Sequence, residues 1–366
     1  ALKLLFYQDY LRVGGTEAHT IHQSQWACDH GHSSVILTNR PGGRLAATIT
    51  RPPVEVRSLQ PFQSGINFWA PGWRAAIRQE KPDVIILMGR VANCMGNAIR
   101  YQFPEIPVIA SLRTGRRIPV KYRRSLMQAG KIIVNSEWAA TRTKAMGIDP
   151  SRVSLVYNPF LKGPLPTPDE HERQRATIRS EAGCSTDRPV ILCVSSFVPG
   201  KNQEGLLKAL HNLDPQRQVE VWFVGEGTRM KHCQGLAKTL PSHVIARFWG
   251  HRSNVSPFYC GADLAVSASL EESLPNFLVE AQYHGLPVVA YDEAGVKECF
   301  IDGTTGVLIP RGDSAALLSA IEEWLGGGKF PQDVASSCRA FAQGRFDPDR
   351  QSHLWLDLVL EFASCH

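Results

Sequence analysis

Ser269-Leu-Glu-Glu-Ser-Leu-Pro-Asn-Phe-Leu-Val-Glu-Ala-Gln-Tyr-His-Gly-Leu-Pro-Val-Val-Ala290 is the stretch on which the reading of this chain turns. It follows a short apolar run at 264–267, a strand candidate. Pro275 suits the first position of a helix, where its missing N–H costs nothing. Leu274 would then be the cap, and leucine has no oxygen to offer the first-turn amides. The amides of Asn276 and Phe277 are left for an external anion, which the helix dipole favours. A diphosphate fits that description. Glu280 lies about one turn further in, able to accept from hydroxyls such as a ribose diol. Glu272 precedes the helix and is expected at a cleft. The same residues also read as an ordinary loop and helix with two solvated carboxylates, because free helix starts are common.

Outward from this stretch, short Val- and Ile-rich runs alternate with helical patterns along the whole chain. Strand candidates in the first half are 2–7, 34–38, 84–88, 108–111, 131–135 and 153–157. In the second half they are 190–195, 219–224, 246–249, 264–267, 288–290 and 306–309. Runs without polar alternation are what a sheet covered on both faces needs. The alternation implies an α/β chain with two doubly wound, Rossmann-like parallel sheets. The boundary is expected within 159–188, which holds Pro159, Pro164, Pro166 and Pro168, then a charged stretch and Gly183-Cys-Ser-Thr-Asp187. This predicts one domain over 1–160 and a second over 161–348. The apolar pattern of the tail predicts a final helix over 349–366, packing back on the first domain. Two such halves would bind ligands in a central cleft at their strand carboxyl ends.

The bulk numbers agree with this. The chain has 366 residues, 43% of them hydrophobic and 20% charged, which suits two folded domains and argues against global disorder. The net charge of +6 favours anionic ligands or surfaces but is too small to argue for nucleic acid. Nine scattered cysteines without a Cys-x-x-Cys pair argue against a disulfide framework or zinc site, so a reducing cytoplasm is expected. No run approaches 18 apolar residues, and the opening Ala1-Leu-Lys-Leu-Leu-Phe-Tyr7 reads as a first strand, not a signal peptide.

The deciding stretch closely resembles the Glu-x-x-x-x-x-x-x-Glu signature of glycosyltransferase family 4, the retaining GT-B enzymes of glycosyl transferases group 1. Glu272, Pro275, Glu280-Ala281 and Gly285-Leu-Pro-Val-Val-Ala290 match it, while Ser273 and Leu274 stand where Gly and Phe are common. The resemblance implies that Glu272 lies beside the transferred sugar and that Glu280 holds the nucleotide ribose. It also implies that loop amides from Ser273 to Phe277 contact sugar and phosphates. Val194-Ser-Ser-Phe-Val-Pro-Gly-Lys-Asn-Gln203 resembles the family's Gly-Arg-x-x-x-x-Lys turn, whose cations clamp the diphosphate. Lys201 matches, and Ser196 replaces the arginine. Lys201 read alone is a solvated lysine after a strand. Val13-Gly14-Gly15-Thr16-Glu17 resembles the N-terminal glycine loop that touches the distal phosphate, although Gly14-Gly15 by itself reads as a turn. Phe223-Val-Gly-Glu-Gly227 and Trp249-Gly-His-Arg-Ser253 resemble turns that wall the base pocket, with Gly225 and His251 near the base, or are simple strand-ending turns.

Arg113-Thr-Gly-Arg-Arg-Ile-Pro-Val-Lys-Tyr-Arg-Arg124 holds six basic residues and no acid. Three functional readings compete: Arg113, Arg116 or Arg117 replaces the missing clamp arginine, the patch binds an anionic acceptor, or it holds an acidic membrane surface. A solvated basic face is the fourth. Phe62-Gln-Ser-Gly-Ile-Asn-Phe-Trp-Ala-Pro-Gly-Trp73, followed by Arg74 and Arg78, reads as an interfacial patch or a buried helix start.

The resemblance implies transfer of a hexose-type sugar from a nucleotide diphosphate donor, UDP being the family's commonest, with Lys201 and Glu272 as catalytic residues. It implies no required cofactor and no metal. No Asp-x-Asp metal motif lies in a plausible cleft position; Asp347-Pro-Asp349 is near the tail and reads as a helix-start turn. Expected partners are the donor and a saccharide or lipid-linked acceptor, with peripheral contact to an anionic membrane in polysaccharide or lipopolysaccharide biosynthesis. Competing functions are a nucleotide-sugar hydrolase or phosphorylase on the same fold, and a catalytically weak sugar-nucleotide-binding subunit. An oxidoreductase is disfavoured, since no Gly-x-Gly-x-x-Gly follows the first strand of either half.

Overall fold

Val84-Ile-Ile-Leu87 and Val190-Ile-Leu-Cys-Val194 carry no polar alternation, and both become central strands with helices on either side. In the computed structural model, which describes residues 1–12, 14–49, 54–159, 163–327 and 333–365, the chain divides into two compact units. Unit 1 is Ala1–Leu161 with Pro348–His366, and unit 2 is Lys162–Asp347. Val13 of the glycine loop, residues 160–162 at the expected boundary and the terminal His366 lie outside the described residues.

Unit 1 runs β1 (Lys3–Gln8), α1 (Gly15–Asp29), β2 (Ser33–Thr38), β3 (Val54–Ser58), α2 (Trp73–Glu80), β4 (Val84–Leu87), α3 (Arg90–Gln102), β5 (Val108–Leu112), α4 (Val120–Gln128), β6 (Lys131–Val134), α5 (Glu137–Ala145) and β7 (Val153–Leu155). Unit 2 runs α6 (Pro168–Ala182), β8 (Val190–Val194), α7 (Gln203–Leu210), β9 (Val219–Val224), α8 (Met230–Ala237), β10 (Val244–Phe248), α9 (Ser256–Gly261), β11 (Leu264–Ser267), α10 (Asn276–Tyr283), β12 (Val288–Tyr291), β13 (Gly306–Ile309), α11 (Ser314–Leu325) and α12 (Val334–Phe346). The last helix, α13 (Pro348–Ser364), belongs to unit 1.

Every strand pairing is parallel. The sheet orders are β3-β2-β1-β4-β5-β6-β7 and β10-β9-β8-β11-β12-β13. Both are the doubly wound order in which the chain leaves the first strand to one side and later returns to the other. Among the described residues, unit 1 has one strand more than its apolar runs point to. Val54-Glu-Val-Arg-Ser58 alternates with charged residues because β3 is an edge strand, paired only with β2 and half open to solvent.

Local chemistry explains the element ends. Thr167-Pro-Asp-Glu170 forms a capping box, with the Thr167 hydroxyl accepting from the Glu170 amide and the Glu170 carboxylate accepting from the Thr167 amide. The tail helix packs into the unit 1 core through Trp355, whose ring stacks on Phe6 at 5.5 Å, and through Leu356 and Val359. The Gln351 side chain accepts the Tyr157 amide at 3.0 Å, fixing α13 against the end of β7.

Candidate functional site

Open α/β sheets bind ligands beyond the strand carboxyl ends where the strand order reverses. In unit 2 that point lies between β8 and β11. The segments leaving it are residues 195–202 and 268–275, and they are tied together. The Leu270 amide donates to the Gly200 carbonyl at 2.8 Å, the Ser269 hydroxyl donates to the same oxygen at 3.0 Å, and the Asn202 side chain donates to the Ala268 carbonyl at 3.0 Å. Buried Gln203 donates to the Ser195 hydroxyl at 2.8 Å and the Ser196 carbonyl at 3.0 Å. Asn202 takes a left-handed conformation, φ 51°, which asparagine tolerates better than most residues.

This frame places Lys201 on a short 3₁₀ turn with Nζ 2.6 Å from Glu272 Oε1. The two side chains are 25% and 8% exposed, so the pair is largely shielded. An ammonium has three protons to donate. Ser196 is exposed on the segment between β8 and that turn. Gly225 follows β9 with φ +142°, and a Cβ there would lie 2.1 Å from the Ser195 carbonyl oxygen. Its amide donates to the Gly250 carbonyl at 2.8 Å, which brings the half-buried His251, the next residue, to the neighbouring strand end.

Helix α10 begins one residue later than the sequence suggests. Pro275, not Leu274, is the N-cap, with φ −75° and ψ 103°, and Asn276 is the first helical residue. The fixed φ of proline is compatible with both positions, and the consequence is the same, because Pro275 has no side-chain acceptor for the first-turn amides. Asn276 and Phe277 are half-buried, whereas Ser273 and Leu274 are buried and the Ser273 carbonyl accepts the Gly295 amide at 2.9 Å. One turn in, Glu280 Oε2 accepts the Tyr259 hydroxyl at 2.6 Å. Burial, and then the Glu280 charge, hold the Tyr259 phenol well above its usual range, so it stays a donor. Tyr259 also stacks on His284 at 4.8 Å and on Phe277 at 6.4 Å.

The corresponding point in unit 1 is built differently. Asp9, just past β1, is buried and accepts the Val91 and Ala92 amides at 3.0 and 2.9 Å, capping α3 with a protein carboxylate. Burial raises the Asp9 carboxyl, and those backbone donors oppose the rise. Gly14 is the N-cap of α1 and Gly15 its first residue. The Glu17 carboxylate reaches back over them: a Cβ at Gly14 would lie 2.3 Å from Glu17 Oε2. Glu17 is buried, pairs with Arg12 at 2.9 Å and has its carboxyl raised by burial.

Arg113 is half-buried and donates to the Asn158 side chain; its Nε meets no partner, and burial lowers its guanidinium to about 10. Arg116 and Arg117 are exposed, on a loop whose Thr114 and Arg116 carbonyls both accept from Arg142 at 2.9 Å. Buried His19 has no hydrogen-bond partner on either ring nitrogen, and burial, then Arg113, hold its imidazole well below its usual range.

The structure therefore brings Lys201 and Glu272 into contact, sets Gly225 against the same turn, and joins Glu280 to a residue not anticipated, Tyr259. Nothing local in sequence links Tyr259 to Glu280. Asn202 carried a readable signal, an asparagine directly after the turn lysine. Among the described residues no group of three or more His, Cys, Asp or Glu is placed to hold a metal ion, and no helix is long and apolar enough to cross a membrane.

Comparison with known families bears on this arrangement directly. Residues 188–326 match the family described as glycosyl transferases group 1, and residues 13–160 match glycosyltransferase family 4. The chain belongs to glycosyltransferase family 4, with the GT-B fold. Among the relatives of this GT-B chain is the lipopolysaccharide core biosynthesis glycosyltransferase LpsE of Rhizobium meliloti, 26% identical over 50% of this chain and 53% of LpsE. The D-inositol 3-phosphate glycosyltransferase of Streptomyces coelicolor is 28% identical over 53% of this chain and 47% of its own length. The chain thus spans about half the length of these sequence relatives. In three dimensions it is similar to Anabaena Alr3699/HepE, solved with UDP and glucose. The TM-score is 0.82 at 22% identity, covering 99% of this chain and 100% of that one. Sucrose-phosphate synthase from Thermosynechococcus elongatus gives a TM-score of 0.83 at 17% identity over the whole of both chains. These likenesses are of GT-B fold.

Proposed function

We propose that the protein transfers a hexose-type sugar from a nucleoside diphosphate donor, a UDP-sugar, to a saccharide or lipid-linked acceptor, with retention of configuration and without a metal ion. The observation that carries the reading is the Lys201–Glu272 contact beside the start of α10, whose cap residue offers no acceptor. The contrast with unit 1 supports placing the donor in unit 2, since Asp9 caps α3 with a protein carboxylate. The UDP in the HepE structure supports uridine, and the name of LpsE supports a glycan acceptor.

In this reading the bond between the sugar anomeric carbon and the β-phosphate oxygen breaks, and charge develops on the leaving oxygen. Lys201 and the first-turn amides of α10 stabilise that charge, where fixed donors are most effective. The leaving oxygen takes the acceptor hydroxyl proton as the new bond forms on the same face of the sugar. Glu272 orients sugar hydroxyls, and Glu280, held by Tyr259, accepts from the ribose diol. Ser273, Leu274, Asn276 and Phe277 contribute backbone, and Gly225 and His251 wall the base. Ser196 supplies no cation, so Lys201 is the cation that this turn contributes to the clamp.

A thermal-shift screen of nucleoside diphosphates and their sugars tests this. A ligand at 100 times its dissociation constant stabilises by about 2.7 kcal/mol. Glu280→Ala abolishes the shift and Lys201→Ala weakens it; an unchanged shift in both variants removes the assignment. Donor turnover without acceptor identifies a hydrolase or, with phosphate, a phosphorylase. Binding without transfer across a wide acceptor panel identifies a binding subunit.

A further inference from the structure

Helix α1 carries a cluster of imidazoles that the transfer chemistry does not use. His22-Gln-Ser-Gln-Trp-Ala-Cys-Asp-His30 sets His22, Trp26 and His30 at successive four-residue steps, so the three side chains share one face of the helix, with His30 as its C-cap residue. That face meets the tail helix α13. His22 Nε2 and the Ser352 hydroxyl share a hydrogen bond of 2.8 Å, and His353 is the next residue along α13. The Trp26 ring stacks on His30 at 4.5 Å. The His353 ring stands edge-on to both, with its centroid 5.0 Å from that of Trp26 and 5.3 Å from that of His30. His30 and His353 are exposed, and Trp26 is half-buried between them and the helix.

The hydrogen on each exposed ring is fixed by its own helix. His30 Nδ1 lies 2.8 Å from the Trp26 carbonyl oxygen, and His353 Nδ1 lies 2.8 Å from the Asp349 carbonyl oxygen. A carbonyl only accepts, so in both neutral rings Nδ1 carries the hydrogen and Nε2 carries the lone pair. A backbone carbonyl on one ring nitrogen is how a histidine that ligates a metal through the other is oriented. The spacing fits the same role. With metal–nitrogen bonds of about 2.0–2.1 Å, two imidazoles on one tetrahedral ion have ring centroids about 5 Å apart, and these two are 5.3 Å apart. Packing on Trp26 holds both rings, so little side-chain freedom is left to lose on binding. We propose that His30 and His353 bind one divalent ion of the zinc, nickel or copper class through their Nε2 atoms, joining α1 to α13. Imidazole suits these ions. Among the described residues no third His, Cys, Asp or Glu is placed to join them, so water completes the coordination and the ion exchanges with solvent. Helix α13 delivers Trp355, Leu356 and Val359 to the unit 1 core, so the ion fastens the tail helix to unit 1. The inference does not depend on the transferase reading.

The test is calorimetric titration of the untagged full chain with zinc chloride at about pH 7.5, where imidazole is neutral and able to ligate. Cys365→Ser is present in every titrated sample, because Cys365 is the exposed thiol that would compete. One zinc per chain is expected. His30→Ala and His353→Ala should each weaken binding at least tenfold, with unchanged far-ultraviolet circular dichroism. Acidification to about pH 5.5 should weaken it by a similar factor, since protons displace the metal from imidazole. Saturating zinc should raise the thermal transition by about 3 °C or more, a rise that both variants lose. In the unaltered protein, zinc should protect His30 and His353 from acylation by diethyl pyrocarbonate, read by mass spectrometry, and leave the exposed His211 reactive, which needs no variant to fold. Absence of zinc binding, undiminished binding by either variant, or equal protection of His211 overturns the proposal. Zinc-dependent self-association that both variants abolish also overturns it and makes the ion a bridge between two chains.

Discussion

Tyr259→Phe deletes one oxygen and leaves the ring stacking of Tyr259 intact. The lost interaction is a 2.6 Å hydrogen bond from a buried phenol to a buried carboxylate, Glu280. Hydrogen bonds to charged groups contribute about 1.5–3 kcal/mol, and a buried acceptor deprived of its donor is at the upper end of that range. Unit 2 spans Lys162–Asp347. For domains of that size each 1 kcal/mol moves Tm by about 2–4 °C, so a loss of about 2 kcal/mol lowers the transition by about 4–8 °C. If Glu280 receives the ribose diol, loosening it also weakens UDP binding by about tenfold, or about 1.4 kcal/mol, while inorganic pyrophosphate, which lacks a ribose, is unaffected. Calorimetric unfolding and titration with UDP and pyrophosphate measure both. A double-mutant cycle with Glu280→Gln isolates the pair, because the Tyr259→Phe cost should shrink once the carboxylate charge is gone. A Tyr259→Phe protein with unchanged Tm and unchanged UDP affinity refutes the claim that this bond positions Glu280.

Three further outcomes follow from single observations. Lys201→Ala should lower donor turnover by about 10²–10³-fold, the usual cost of removing one donor from a developing oxyanion, and Lys201→Arg should recover part of it; steady-state kinetics with saturating donor read the difference. Gly225→Ala puts a methyl 2.1 Å from the Ser195 carbonyl at φ +142°, so unit 2 should lose more than about 1–3 kcal/mol in denaturant unfolding. His19→Phe should flatten the acid side of the stability curve. The native imidazole stays neutral well below its ordinary 6.5. On acidification the unfolded chain therefore binds a proton that the native one refuses, and stability present above about pH 6.5 is lost as pH falls. His22 acts with the same sign and the raised Asp9 and Glu17 carboxyls with the opposite one, so the comparison is between variant and parent over pH 5–6.5.

The parallel architecture was legible because a strand buried on both faces must be apolar throughout, as 84–87 and 190–194 are. β3 escaped the same logic: its Glu55 and Arg57 reflect an edge position that no local pattern announces. Lys201 and Glu272 were readable one by one, from a lysine after a strand and a carboxylate before a helix. Their contact was not, because it depends on half-buried Asn202 and buried Gln203 and Ser269 drawing two distant segments together. Tyr259 was hidden for the same reason, since its tie to Glu280 crosses from α9 to α10. The Phe62–Trp73 stretch left open whether its aromatics face the core or solvent. The structure splits it, burying Trp73 in the core that also holds Ile77 while exposing Phe62, Ile66 and Phe68.

The central claim is that a nucleoside diphosphate sits on the start of α10 with Lys201 as its cation. Hydrogen exchange of the intact protein with and without saturating UDP tests it at the amides concerned. The account predicts slowed exchange at Asn276, Phe277 and the turn around Lys201, lost in Glu280→Ala. Saturable UDP binding with unchanged exchange at those amides would contradict it.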